Sequence, residues 1–128
     1  MTQDEFNAYC KSLPHSTFVE QWGRAQVWKV GAGAKNKVYA IGGWNEFDGA
    51  DSVFCVSFKV SDMAFEILRD SPGCRPAPYL ASRGMKWIQW TGPYTLDDDS
   101  LREHIRASYH LVAKGLTKKL QKELGFIS

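Results

Sequence analysis

The sequence predicts one α+β domain, in which an antiparallel sheet carries helices packed on one face, with helices at the N- and C-terminal ends. Three observations lead to this prediction. Strand-like apolar runs cluster in the middle of the chain, helix-like periodicity dominates its two ends, and no linker, repeat or low-complexity stretch interrupts residues 1–128. A chain of this length fits a single domain, and strands segregated from helices are typical of α+β folds.

The first predicted element is a helix over residues 3–12. Thr2 and Glu5 have the spacing of a capping box. Apolar residues then recur at helical spacing, and Pro14 ends the helix because the residue before a proline avoids helical dihedral angles. The apolar positions are Phe6, Tyr9, Cys10 and Leu13.

A β-hairpin is predicted next, from the strands Val27–Val30 and Lys37–Ile41. The segment between them, Gly31–Asn36, predicts a flexible, glycine-containing loop. Residues 17–20 lie ahead of the hairpin and fit either a short strand or an extended lead-in. The hairpin is therefore expected to form one part of the sheet.

The run Ser52–Val60 is the strongest strand signal in the chain, and it follows the polar connection Asn45–Ser52. It is apolar on both faces, which predicts a position in the middle of the sheet. Ser61 is then expected to cap a short helix that ends near Asp70. Three prolines and a glycine predict a loop over residues 71–78.

The last part of the chain predicts a strand over Met85–Thr91 and then a long helix capped by Asp97. Apolar residues step along this helix about four positions at a time and form a core-facing stripe. Gly115 is a plausible stop, and Thr117 is expected to cap a short basic terminal helix. The stripe consists of Leu101, Ile105, Tyr109 or Ser108, Val112 and Leu116.

Charge is distributed unevenly along the chain, although the formal net charge is only +2. Residues 1–23 carry three acids and one lysine, a net charge of −2, whereas residues 101–128 carry six cations and two acids, a net charge of +4. Such asymmetry either marks an anion-facing surface or complements helix dipoles on a solvated surface. The basic end of the chain includes Lys118, Lys119 and Lys122, which are open to the same two interpretations.

Several classes of protein are disfavoured by the sequence. No stretch approaches the roughly 18 apolar residues of a membrane span, and the acidic N-terminus does not resemble a signal peptide. Three widely spaced cysteines form no Cys-x-x-Cys pair, which argues against a disulfide framework or a zinc site: Cys10, Cys55 and Cys74. A cytoplasmic protein is therefore expected.

No catalytic or metal-binding pattern is present. The chain has no Gly-x-Ser-x-Gly, phosphate-loop or His-Glu-x-x-His motif. His104 and His110 are six residues apart and so do not share a helical face, and the run Asp97–Asp99 is explained by helix capping. We expect neither an enzyme nor a bound metal or cofactor.

Basic residues on and beside the predicted strands are the candidate site. Four lie in the hairpin and the central strand, and two precede the late strand. If the sheet presents them on one side, they form a phosphate-binding patch interleaved with the aromatic residues Trp28, Tyr79 and Trp87, although those aromatics also fit a core role. The candidate residues are Lys29, Lys35, Lys37, Lys59, Arg83 and Lys86, together with Trp87.

The ordered set of motifs resembles the MmcQ/YjbR family over nearly the whole chain. The resemblance rests on Pro78–Leu80 through Lys86-Trp87, on Ser108–Val112, on Leu116–Lys119, and on the N-terminal Phe6–Cys10 helix leading to Leu13-Pro14. It implies a CyaY-like α+β fold and a DNA-binding role proposed for the family. The expectation is a protein that binds DNA with low sequence specificity. The alternative is a protein-interaction module that uses an exposed aromatic patch or a sheet edge.

Overall fold

A computed structural model describes residues 1–43, 54–78 and 80–128 of the chain. Tyr79 and the predicted connection Asn45–Ser52 lie outside the described residues, as does the beginning of the run Ser52–Val60. In chain order the helices are α1 (Gln3–Ser12), α2 (Asp62–Leu68), α3 (Asp98–Ala113) and α4 (Lys118–Glu123). The strands are β1 (Ser16–Gln21), β2 (Ala25–Ala32), β3 (Lys35–Gly42), β4 (Val56–Lys59), β5 (Cys74–Pro76) and β6 (Trp87–Trp90).

The six described strands form one antiparallel sheet in the order β1-β2-β3-β4-β6-β5. The predicted α+β class is therefore confirmed. β4 lies between β3 and β6, in the middle of the sheet as predicted. Its Val56 and Phe58 share one face and are fully buried, whereas Ser57 and Lys59 point to the opposite face. The described strand is therefore apolar on one face only.

The helices pack on one face of the sheet and enclose the main core. α3 contributes Leu101, Ile105, Tyr109 and Val112 to this core, each stepping by about one turn as predicted. Residues from α1, α2 and α4 join the same cluster, which confirms helices on one face. The opposite face carries a smaller apolar cluster of Ala25, Val27, Ile41, Ala77 and Trp87.

The predicted helix caps all form. Thr2 and Glu5 make both hydrogen bonds of a capping box at α1. The side chains of Ser61, Asp97 and Thr117 each accept a hydrogen bond from the backbone three residues on, at the starts of α2, α3 and α4. Each cap satisfies a backbone N–H that the helix itself leaves without a partner.

Two local predictions need refinement. The hairpin turn is tighter than the predicted loop, because β2 continues to Ala32 and β3 begins at Lys35, which leaves only Gly33 and Ala34 between them. The predicted proline-rich loop also contains the edge strand β5. Proline lacks a backbone N–H and is tolerated at a sheet edge, so Pro76 fits there although it suggests a loop.

The hydroxyl of Ser108 on α3 enters the sheet between β3 and β4. The last β3–β4 pair is Ala40 with Phe58, so one more pair would join Tyr39 to Lys59 directly. Instead, Ser108 Oγ donates to the Tyr39 carbonyl at 2.7 Å and accepts from the Lys59 amide at 2.8 Å. One buried hydroxyl thus satisfies both backbone groups where the two strands separate.

His104 gives the fold a predicted dependence on pH. Burial against Phe58, whose ring lies 5.4 Å from the imidazole, lowers the pKa of His104, and neighbouring Glu103 opposes this shift. Below about pH 6.5 the unfolded chain therefore binds this proton more readily than the folded protein does. Stability from this group is complete above that pH and is lost as the pH falls. The melting temperature, measured at about pH 7.5 and about pH 5, should fall further for the wild type than for His104→Gln. Equal decreases would contradict the assignment.

None of the helices in the described ranges combines the length and the apolar character required to cross a bilayer.

Candidate nucleic-acid interface

The long helix α3 separates two ends of the molecule that carry opposite charge. Its first turn contains Asp98 and Asp99, and the capping residue is Asp97. The N-terminal amino group of Met1 pairs with Asp98 at 3.1 Å, which brings the start of α1 to the same end. A helix of 16 residues is about 24 Å long, so the C-terminal end of α3 lies far from these carboxylates.

The opposite end brings together two basic segments that are distant in sequence. Lys37, near the tip of the β2–β3 hairpin, donates from Nζ to the carbonyl oxygen of Gly115 at 2.8 Å. This bond caps the C-terminal end of α3, where a cation complements the helix dipole. It also sets the hairpin tip beside the junction of α3 and α4, which is flanked by the exposed residues Lys114, Lys118 and Lys119.

Lys29 and Lys59 extend this cationic region across the face of the sheet that has no helices. Lys29 pairs with Val38 on β3, and Lys59 pairs with Trp87 on β6. Together with the lysines of the hairpin tip and the α3–α4 junction, they form a set that we call the basic end: Lys29, Lys35, Lys37, Lys59, Lys114, Lys118 and Lys119. Across residues 1–43, 54–78 and 80–128, no ion pair involves any lysine of the basic end.

The two remaining basic candidates lie elsewhere. The ammonium group of Lys86 lies 4.8 Å from the centre of the Phe65 ring, and the Arg69 guanidinium carbon lies 5.3 Å from the same centre. Both are cation–π distances. Lys86 therefore faces α2, on the side of the sheet away from Trp87, because successive residues of a strand point to opposite faces. Arg83 is exposed in a 3₁₀ turn at Ala81–Arg83.

The aromatic candidates are buried. Trp28 belongs to the main core and donates its indole N–H to Asn7 on α1 at 2.9 Å. Trp87 is only 3% exposed and belongs to the second cluster. Neither ring is available to stack on an unpaired base, so these two aromatics have the core role that the sequence also allowed. Tyr79 lies outside the described residues.

A polar pair in the sheet was not predicted from the sequence. Gln89 on β6 is fully buried, and its Oε1 accepts from Nε of Arg75 at 2.7 Å. The pair joins β5 to β6, so a sequence analysis that assigns residues 71–78 to a loop cannot predict it. The signal that could have found it is the polar residue within an otherwise apolar strand, Trp87-Ile88-Gln89-Trp90.

Groups that ionise or bind metals are not assembled into a reactive cluster in the described ranges. Burial raises the pKa of the Cys10 thiol to about 12, so the reactive thiolate is scarce at neutral pH. Among the residues that the structure describes, no three His, Cys, Asp or Glu side chains are grouped to hold a metal ion. The absence of an enzyme activity stays a prediction.

Fold and charge together define a small α+β protein with one acidic and one basic end. The chain belongs to the YjbR family, whose model matches residues 11–111. The crystal structure of Deinococcus radiodurans protein DR2400, described as a DUF419 domain, has 31% sequence identity and a TM-score of 0.80, covering 97% of this chain and 88% of that one.

A protein from Pseudomonas syringae has a TM-score of 0.68 at 20% identity, covering 88% of this chain and 99% of that one. At this identity the likeness concerns the fold alone. No curated protein matches the chain. The comparisons therefore fix the family and the fold, and they assign no activity.

Proposed function

We propose that this protein binds duplex DNA through its basic end, with low sequence specificity. The observation that carries the proposal is the bond between Lys37 and Gly115, which joins the hairpin lysines to those of the α3–α4 junction. Lysine ammonium groups attract phosphate oxygens and release counterions from DNA without reading the bases. The distance between the acidic end and this surface reduces repulsion between carboxylates and phosphates.

The composition of the basic end explains why low specificity is expected. Its members are all lysines, whose compact ammonium groups act as point charges and lack the planar fork with which Arg makes bidentate contacts. The buried rings of Trp28 and Trp87 favour backbone contact over stacking on unpaired bases. An affinity in the micromolar range or weaker, about 10⁻⁶ to 10⁻⁴ M, is typical of such binding at physiological salt.

Fluorescence anisotropy with a labelled duplex tests this proposal through two variants of equal charge change. The first, Lys29→Gln/Lys37→Gln/Lys59→Gln, removes three cations of the basic end. The second, Arg69→Gln/Arg83→Gln/Lys86→Gln, removes three cations near α2 and the 3₁₀ turn. We expect the first variant to weaken binding by about 10-fold or more at low salt, and the second by about 2-fold, because local phosphate contacts exceed the effect of net charge.

If the wild type does not bind the duplex at low salt, the proposal is wrong. Equal weakening by the two variants would contradict the assignment of the surface, since it would attribute the interaction to net charge alone. Thermal melting of both variants provides the folding control.

A protein-interaction role is the second candidate, and one observation favours it. Met63 and Ile67 lie four residues apart on α2, and they are 76% and 63% exposed. Residues at this spacing share a helix face, and exposed apolar pairs of this kind occur at interfaces. This candidate would be supported by a partner protein that binds the wild type and Lys29→Gln/Lys37→Gln/Lys59→Gln but does not bind Met63→Ser/Ile67→Ser.

A further inference from the structure

A cavity of about 370 Å³ lies between the C-terminal end of α3 and the second apolar cluster of the sheet. Such a volume lies within the range of small-molecule sites. Because a water molecule occupies about 30 Å³ in the liquid, the cavity has room for roughly a dozen groups of that size. Its apolar lining includes Val38, Ile41, Leu80, Leu111 and Val112.

The separation of β3 from β4 creates this cavity. β4 ends at Lys59, whereas β3 starts at Lys35, so the first residues of β3 have no strand beside them on the β4 side. Ser108 bridges Tyr39 and Lys59 at the point of separation. The cavity is thus a product of how the sheet and α3 meet, and the connections on either side of it add Trp22, Leu80 and Met85 to the lining.

Two lysine side chains belong to the otherwise apolar wall. Lys37 and Lys59 both line the cavity. Lys37 uses one of its three N–H groups in the bond to Gly115 and keeps two for another acceptor. Lys59 is half-buried, and no carboxylate in the described ranges pairs with it. This combination of apolar wall and unpaired cation is complementary to an anion with an apolar body.

Trp87 supplies an aromatic surface to the same wall. Its indole N–H lies beneath that surface, out of contact with solvent, and has no hydrogen-bond acceptor among the described residues. Trp87 pairs with Lys59 across the β4–β6 ladder, where opposite side chains begin about 5 Å apart. The indole therefore lies beside the Lys59 side chain, and its resonance reports on a ligand held there.

We propose that this cavity binds a small monocarboxylate with an apolar body, of roughly a dozen non-hydrogen atoms. The carboxylate pairs with Lys59 and Lys37, and the apolar body packs against the Trp87 ring. The body occupies the space between Val38, Ile41 and Leu111. The inference does not require DNA binding, although the two surfaces share Lys37 and Lys59.

The test is a titration of the ¹⁵N-labelled protein, without DNA, followed through the assigned indole resonance of Trp87. The probe is 4-phenylbutyrate, and its neutral isostere 4-phenylbutyramide is the control ligand. We expect 4-phenylbutyrate to shift the Trp87 resonance in a saturable manner, and the amide to bind at least 10-fold more weakly. Lys59→Gln should weaken binding of the acid by about 10-fold, as expected when a charged partner is lost.

Lys35→Gln serves as the matched protein control, because it removes the same charge from β3 at a position that does not line the cavity. It should leave the affinity within about 2-fold of the wild type, well below the effect of a lost ion pair. A Trp87 resonance that does not move, or equal affinities for the acid and the amide, would overturn the proposal. Equal effects of Lys59→Gln and Lys35→Gln would overturn it as well. None of these outcomes bears on duplex binding, so the two proposals fail separately.

Discussion

Replacing Ser108 with alanine is expected to destabilise the protein by about 2–4 kcal/mol, although the substitution removes only one oxygen atom. The hydroxyl is fully buried and contacts two backbone groups, the carbonyl of Tyr39 and the amide of Lys59. Alanine leaves both groups without a partner in the interior. Each such loss costs about 1–3 kcal/mol, far more than the net contribution of an ordinary exposed hydrogen bond.

Chemical denaturation of Ser108→Ala measures this effect, and Ser100→Ala is the matched control. Ser100 lies on the same helix, is only partly buried, and its side chain makes no hydrogen bond among the described contacts. The control should change the free energy of unfolding by about 0.5 kcal/mol or less. A Ser108→Ala variant as stable as the control would show that the hydroxyl does not bridge the two strands.

Gly31→Ala is expected to destabilise the β2–β3 hairpin by about 3 kcal/mol or more. Gly31 has a φ angle of +139°, which residues with a side chain rarely adopt. A methyl group there would overlap the carbonyl oxygen of Lys35 and lie 2.7 Å from the Cα atom of Asn36. Both contacts are with backbone, which cannot move aside without breaking the pairing of the hairpin.

Gly33→Ala separates the dihedral effect from the steric one. Gly33 also has a positive φ angle, +56°, but a methyl group there would meet nothing within 4 Å. It should therefore cost only the intrinsic penalty of about 1–2 kcal/mol for a left-handed residue. Thermal or chemical unfolding of both variants compares the two positions. If Gly33→Ala were as destabilising as Gly31→Ala, close backbone packing at Gly31 would not be the cause.

Local signals in the sequence predicted much of the fold correctly. The helix caps can be recognised from the sequence, because each capping side chain lies within three residues of the backbone group that it satisfies. These caps are Thr2, Ser61, Asp97 and Thr117. The core stripe of α3 follows from helical periodicity alone. The central position of β4 was predicted from the apolar run Ser52–Val60, to which the strand belongs.

The parts that were not predicted depend on distant pairings. β5 is a three-residue edge strand, and only its ladder with β6 distinguishes Cys74–Pro76 from a loop. The contact between Lys37 and Gly115 joins residues 78 positions apart, and no spacing in the sequence encodes it. For the same reason the opposite placement of Lys59 and Lys86 depends on strand register, which the sequence left undetermined.

The central claim, that the lysines of the basic end contact DNA phosphates, is tested most directly by the salt dependence of duplex binding. Each neutralised phosphate contributes about 0.9 to the slope of log affinity against log salt concentration. If Lys29, Lys37 and Lys59 each contact one phosphate, their triple glutamine variant should lose about 2.7 from the wild-type slope. The equally charged variant at Arg69, Arg83 and Lys86 should keep the wild-type slope. Identical slopes for all three proteins would contradict the claim.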